Sequence, residues 1–379
     1  MIYLDYNATT PLCAPAREAM LPYLDEHFGN ASSIHQAGRE ARAAVDSARD
    51  TLAQLLGTKS HELIFTAGGT ESDNLGIIGL ARAHSDRGRH LITSVVEHHA
   101  VLHAFQSLEQ NEGFRVTWLA VDHTGRIDLQ QLADSFTPET ILVSLMTANN
   151  ETGTTQPAAE AARLCRERGV LFHSDAIQSF GKEELRASDF DALSLAAHKF
   201  YGPKGAGLLY LRAGIPIQQL QIGGSHEGQR RAGTENVAAI AGMAAAASFA
   251  SNDVATEGQR LDALREYLWD GIRRVFPSSV RNGLREATLG NTLNVTFPTL
   301  EGESLLMNLD LEGVCASSGS ACMVGSVLPS HVLLAMGVPP ENAKSAVRFS
   351  LGRGTEATQI TKAINALERT VARMRPRFS

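Results

Sequence analysis

VLFHSDAIQSFGKEELRASDFDALSLAAHKFYGPKG, residues 170–205, decides the fold. Two short apolar runs, VLFHS and ALSLAA, each end on a residue that apolar strands do not normally carry: Asp175 after the first and Lys199 after the second. In an open α/β sheet, ligands bind beyond the carboxyl ends of the strands. Asp175 and Lys199 are therefore expected to face one crevice. A carboxylate there needs a cation, and a lysine whose pKa is depressed by such a setting is suited to form a Schiff base.

Outward from this stretch the same grammar repeats. Runs of strand character begin at Glu62 (ELIFTA), His90 (HLITSV), Arg115 (RVTWLAV), Ile141 (ILVSLM), Val170, Asp191 and Gly207 (GLLYL). Amphipathic stretches lie between most of them, as in 70–84, 100–110 and 158–168. Strands alternating with helix-length patterns predict βαβ units. The fold class is thus α/β, with a mainly parallel seven-stranded sheet in a large domain. The alanine-rich stretch 234–250 reads as a buried helix, and SNDVATEG (251–258) resets the polarity. A helix over 259–275, the strands NTLNVTF and AVRFSL, a helix over 302–310 and a terminal helix to about Met374 then form a smaller α+β unit. The expected division is a large domain over 13–252 and a small one over 1–12 and 253–379.

A net charge of −7 and a pI near 6.0 offer no basic field for nucleic acid or anionic lipid. No run of about 18 apolar residues occurs, and MIYLDYNATTPL has no basic segment leading into an apolar one, so the expectation is a cytoplasmic protein without a membrane segment. Four scattered cysteines, at 13, 165, 315 and 322, do not form a disulfide frame. His99 and His103 share a helix face in EHHAVLH, but no acidic residue stands between them and no third ligand follows, so no metal is expected. Cys315 and Cys165 sit on apolar or helical runs and read as packing residues. Cys322, by contrast, stands in SSGSACMVGSVLPS, a serine- and glycine-rich stretch suited to a loop of long reach.

A carboxylate for a pyridinium nitrogen and a lysine for an aldehyde are what a protein must supply to pyridoxal 5′-phosphate. FTAGGTESDN supplies the remaining need, an anion site. A strand ends at Thr66, two glycines allow close backbone approach, and Thr70, Glu71 and Ser72 open a helix whose free N–H groups attract phosphate.

With these residues the sequence resembles the cysteine desulfurases of the NifS-like type, in the class V aminotransferase group of fold-type I pyridoxal-phosphate enzymes. The stretches that carry the resemblance run nearly end to end: YLDYNATTP, FGNASS, TAGGTESDN, EHHAV, NNETG, DAIQSFGK, HKFYGPKG, GGSHEGQRRAGTEN, EGESLLMNLD, SSGSAC, PSHVL and RFSLGR. The resemblance implies Lys199 as the Schiff-base lysine, Asp175 as partner of the pyridine nitrogen and Gln178 as donor to the ring hydroxyl. It implies His98 stacked on the ring and moving protons, Gly69, Thr70 and His198 at the phosphate, and Thr234 reaching the phosphate of a neighbouring subunit in a homodimer. Arg353, with Asn150 and Asn30, is expected to hold the substrate carboxylate. The family usually has a serine where Ala196 stands, so that one hydroxyl is lost from the phosphate unless Ser194 or a water compensates, and Ala31 replaces its usual proline.

The activity so implied is conversion of L-cysteine to L-alanine, with sulfur passing to Cys322 as a persulfide and on to an acceptor protein in iron–sulfur cluster assembly or thiolation. A loop of long reach then has a use, since one thiol must enter the crevice to collect sulfur and leave it to deliver. Other class V enzymes, an aminotransferase or a selenocysteine lyase, keep the same lysine and aspartate. An aminotransferase has no use for Cys322, and a non-catalytic protein that kept the fold as an interaction module has no use for Lys199, Asp175 or Arg353.

Overall fold

The computed structural model describes residues 1–318 and 328–374. Strand β1 (Ile2–Tyr3) opens the chain, and seven strands then build the central sheet: β2 (Leu63–Thr66), β3 (His90–Ser94), β4 (Arg115–Leu119), β5 (Thr140–Ser144), β6 (Leu171–Asp175), β7 (Ala192–Ala196) and β8 (Gly207–Leu211). Their spatial order is β2-β8-β7-β6-β5-β3-β4. Neighbours run parallel except at β8, which is antiparallel to both β2 and β7. All seven runs expected as strands are strands of this one sheet, and the α/β expectation holds.

The sheet is covered on both faces, which is why its strands are near-continuously apolar. Alternate residues divide cleanly between two cores. Phe65, Ile92, Val143, Phe172, Leu193, Leu195 and Leu208 join one. Ile64, Leu91, Leu142, Leu171, Ala192 and Leu209 join the other. The first core is closed by helices Gln36–Leu56, Ala158–Glu167 and Val237–Ser251, the second by His99–Glu112 and the helical run that starts at Gly69. Helix Gln36–Leu56 buries Ala41, Val45, Ala48, Leu52 and Leu56, a spacing of three and four that keeps one stripe inward. It stops at Gly57, whose φ of 65° is the left-handed turn that glycine adopts without a Cβ clash.

Helices Val237–Ser251 and Val254–Val275 meet at 72°. The second begins earlier than its polarity suggests, directly after Asp253, whose φ of 55° makes the corner. Beyond it β9 (Val280–Asn282), β10 (Thr292–Thr296) and β12 (Ala346–Ser350) form an antiparallel sheet in the order β12-β10-β9, and β11 (Val314–Cys315) pairs in parallel with β1. Leu4, Leu268, Val295, Phe297, Val347, Phe349 and Leu367 share a core of their own. We place the boundaries of the two units between these cores, with 1–12 and 253 onward as the smaller.

Candidate active site

Because β2, β3, β5, β6 and β7 all point the same way, their carboxyl ends converge on one cavity of about 330 Å³, within the ~300–1,000 Å³ usual for small-molecule and cofactor sites. Each strand end contributes. Gly69 and Thr70 follow β2, His98 follows β3, Met146 and Asn150 follow β5, Asp175 ends β6, and Ala196, His198 and Lys199 lie at and just beyond the end of β7. The small unit adds Arg348 and the N-terminal segment adds Asn7 and Ala8.

Lys199 Nζ donates to the carbonyl oxygens of Asn7 (2.6 Å) and Ala8 (2.8 Å), which aim the amine across the mouth of the cavity. Asp175 accepts one backbone hydrogen bond, from the N–H of Ile177 (2.9 Å). Burial raises its carboxyl to about 6, against that bond and the Lys199 charge. Gln178 Nε2 donates to Asn7 O at 3.1 Å. His98 caps helix His99–Glu112, its Nδ1 accepting the Ala100 N–H at 3.1 Å, and burial together with Lys199 pushes its pKa down to about 4. The neutral ring therefore carries its proton on Nε2. For Nδ1 to take a proton from a thiol, the Ala100 bond must open.

Whether these groups fit pyridoxal phosphate is tested by shape and donor chemistry. A Cβ on Gly69 would lie 2.3 Å from Ile177 Cδ1 and 3.3 Å from Ala196 Cβ, so glycine is required for this wall to close up. Past Gly69 and Thr70 the cavity opens into a wider depression lined by Thr9, Gly68 and Lys204, where a dianion would meet helix-start N–H groups and a cation. His198, lowered to about 4 by burial and Lys199, stands there as a neutral ring with Nδ1 3.2 Å from Thr9 Oγ1. A carboxylate, an amine and an anion site line one cavity, and the residues fit the group. Ser194 does not replace the hydroxyl missing at Ala196: its Oγ is 2.9 Å from His173 Nε2, inside the sheet.

Two residues expected at the substrate lie outside this cavity. Arg353 does not line the cavity. Its Nη2 donates to the carbonyls of Ala250 (2.9 Å) and Asn252 (2.6 Å), and its guanidinium lies 5.0 Å from the centroid of Phe249, so it fastens the small unit to the end of helix Val237–Ser251. Arg348, five residues earlier, is the arginine of the cavity wall. It donates to Asn150 O (2.9 Å) and Asp5 Oδ1 (2.8 Å), while its buried Nε has no hydrogen-bond partner. Asn30 is likewise elsewhere, exposed in a turn where its Oδ1 accepts the Ser32 N–H. Asn150 does line the cavity.

Thr234 is exposed and outside this chain's cavity. Arg42 ties its segment to the Asn30 turn, bonding Ala31 O at 3.1 Å and Glu235 at 2.9 Å. Cys322 lies outside the described residues. Both flanks of its stretch are fixed near the cavity. Ser317 exchanges two backbone hydrogen bonds with Arg348 (3.1 and 2.7 Å), Ser330 Oγ donates to Glu151, and His331 Nε2 donates to Glu97 O at 3.1 Å. His99 stacks on His103 (centroids 5.2 Å apart) and against His331 (4.8 Å), and among the described residues no three side chains are arranged to hold a metal ion.

Residues 2–362 match the model of the class-V aminotransferase family. The chain is 47% identical to a cysteine desulfurase IscS of Dictyoglomus turgidum, covering 99% of this chain and 95% of that protein. It is 43% identical to one of Methanosarcina thermophila, covering 99% and 93%. Among solved structures, a NifS-like protein superposes with a TM-score of 0.92 at 34% identity, over 98% of this chain and 99% of that one. A structure of SspA in complex with cysteine superposes with a TM-score of 0.82 at 35% identity, over 93% and 99%.

Proposed function

The chain belongs to the class-V aminotransferase family and is a pyridoxal-phosphate-dependent cysteine desulfurase; from that premise we propose which residues take sulfur from L-cysteine and where the sulfur goes. The observation that carries this reading is one cavity holding Asp175, Lys199 and Arg348 between the two anchored flanks of the Cys322 stretch.

Asp175, a carboxylate above about pH 6, would hold a proton on the pyridine nitrogen, with Gln178 placed for the ring hydroxyl, His98 for the ring face, and Gly69, Thr70 and His198 for the phosphate. When bound there, the cofactor supplies an electron sink for the carbanion that forms at the substrate α-carbon. Lys199 would anchor the cofactor, and its amine, held beside the cavity by two carbonyls, is the group placed to take the substrate α-proton. Arg348 clamps the substrate carboxylate with a planar fork already oriented by Asp5 and Asn150.

Cys322 attacks the substrate sulfur as a thiolate, the only strongly nucleophilic form of the side chain. The balance is closed: substrate cysteine and the Cys322 thiol become alanine and the Cys322 persulfide. The C–S bond breaks, an S–S bond forms, and His98 carries the thiol proton once Nδ1 is released from Ala100. Cys322 is four residues from Ser318, a span of up to about 14 Å. That length serves both collection inside the cavity and delivery to an acceptor protein in iron–sulfur cluster assembly or thiolation. A homodimer is part of the reading. Exposed Phe28, Ile34 and Ile222 lie within a few residues of the Asn30 turn or at the start of the segment leading to Thr234, and would be covered by a partner that receives Thr234 at its phosphate site. The enzyme works in the cytoplasm.

The test is addition of L-cysteine to the holoenzyme with alanine and sulfide quantified, and Cys322→Ala run in parallel. We expect both products from the wild type, and both reduced at least about a hundredfold in a variant that keeps its visible cofactor band. Equal alanine from both proteins overturns the transfer to Cys322 and favours an enzyme of the same family that has no use for the thiol.

A further inference from the structure

Lys182, at the end of DAIQSFGK, belongs to none of the roles above, yet it reaches the same machinery from behind. Its Nζ donates to Gln178 Oε1 at 2.9 Å and lies 3.5 Å from Asn7 Oδ1. Lys182 and Lys199 both line a small second cavity on the side of Lys199 away from Asp175, with Tyr6, Asn291 and Glu257. Lys182, Gln178, the Asn7 carbonyl and Lys199 thus form one continuous chain of hydrogen bonds: 2.9 Å, 3.1 Å and 2.6 Å.

The amide of Gln178 could face two ways, and its neighbours permit one. An ammonium has only donors, so the atom it meets must be the amide oxygen. A backbone carbonyl has only lone pairs, so the atom facing Asn7 O must be the amide nitrogen. Two independent partners impose the same orientation. The amide nitrogen has two hydrogens, Asn7 takes one, and Gln178 lines the cavity. The other hydrogen is left for a ligand acceptor.

We propose that Lys182 is a positioning residue for the desulfurase reaction: it locks the Gln178 carboxamide as a hydrogen-bond donor toward the cofactor's ring hydroxyl and adds a second, partly buried positive charge behind Lys199, so that the bound cofactor sheds its proton at lower pH. This rests on the cofactor reading above. The charged groups that face Lys182 are Lys199, Arg348 and Glu183, with Glu257 and Arg353 across the second cavity; Asp175, His98 and His198 face the Gln178 side. Burial, with Lys199 and Arg348, lowers the Lys182 ammonium to about 7, against Glu183, so the charged form that imposes the lock predominates below that pH and is lost above it.

The experiment is a pH titration of the visible band of the holoenzyme, wild type against Lys182→Met and Lys182→Arg, with pyridoxal-phosphate affinity measured on the apoproteins. A cation beside an acid favours its deprotonated form, so removing the cation raises the midpoint. Lys182→Met moves it up by about one unit. Lys182→Arg, which keeps a charged donor-only end, leaves it within a few tenths of a unit of the wild type. Lys182→Gln, polar but uncharged, shifts it in the same direction as the methionine variant and carries the test should that variant fail to fold. An unchanged midpoint in both neutral variants, or an arginine variant shifted as far as the methionine one, overturns the proposal and leaves Lys182 a packing residue, a role that lowers affinity without moving a midpoint. A wild type with no visible band after cofactor is added would instead defeat the cofactor reading itself.

Discussion

Arg348→Ala lowers kcat/KM for L-cysteine by a factor on the order of 10²–10⁴, chiefly through KM, while Arg353→Ala leaves it within about threefold. Two hydrogen bonds to a carboxylate are involved, each worth about 1.5–3 kcal/mol when charge-assisted, and about 1.4 kcal/mol is a factor of ten. Uniform binding energy of this kind is lost mostly from KM. Arg348→Lys keeps the charge without the fork and is expected between the two extremes. Arg353→Ala instead loses its bonds to Ala250 O and Asn252 O and its place over Phe249, so its effect appears in thermal stability. Steady-state kinetics of the three variants, with melting curves, decides the matter: a raised KM in Arg353→Ala with a normal one in Arg348→Ala would restore the sequence-based assignment.

Lys199→Ala is expected to reduce alanine formation by roughly 10³- to 10⁴-fold or more, because one deletion removes both the covalent anchor and the α-proton base. The lysine-linked visible band disappears, and a small added amine restores part of the activity by reaching the same space. The carbonyls of Asn7 and Ala8, which now accept from Nζ, retain water in the variant, so the fold survives. Spectra and turnover with and without the amine check this, and an alanine variant that keeps both band and rate would refute the role of Lys199.

Much of this architecture is legible in the chain because strands buried on both faces must be apolar throughout, and seven such runs stand apart from their helical neighbours. Asp175 and Lys199 were found for the same reason: a charge that closes an apolar run is conspicuous. The sequence reading took Arg353 for the substrate arginine, although the strand already carried a signal that Arg348 is the one on the cavity wall. In AVRFSL the side chains of Val347, Phe349 and Leu351 enter the small core, which leaves Ala346, Arg348 and Ser350 on the other face. The period-two pattern therefore points Arg348, not Arg353, away from the core. A charge in the middle of a fully buried strand is rarer than one in the turn after it, and rarity was the useful clue.

Other features had no local signal. That Ser194 is spent on His173, and so unable to serve the phosphate beside Ala196, depends on a pairing across neighbouring strands. Lys182 reads as a solvated lysine at the end of DAIQSFGK, and only the approach of the N-terminal segment, bringing Asn7 against Gln178, gives it partners. Leu4 of that segment joins the small core, but Asn7 itself is placed by bonds that span most of the chain, such as Asn7 Nδ2 to Thr292 Oγ1 at 2.9 Å and the Asn7 N–H to Ser350 Oγ at 2.9 Å. Contacts of that sequence separation leave no trace in periodicity.

The central claim is that sulfur leaving L-cysteine is carried by Cys322. It is tested most directly by mixing the holoenzyme with L-cysteine in the absence of any reductant or acceptor, quenching within one turnover, and measuring the intact mass and the mass of the Cys322 peptide. The account predicts that this peptide becomes one sulfur atom heavier, in step with one alanine released per active site, and that a thiol reductant returns it to its original mass. Alanine released with the Cys322 peptide unchanged, or the added sulfur found on Cys13, Cys165 or Cys315, would contradict it.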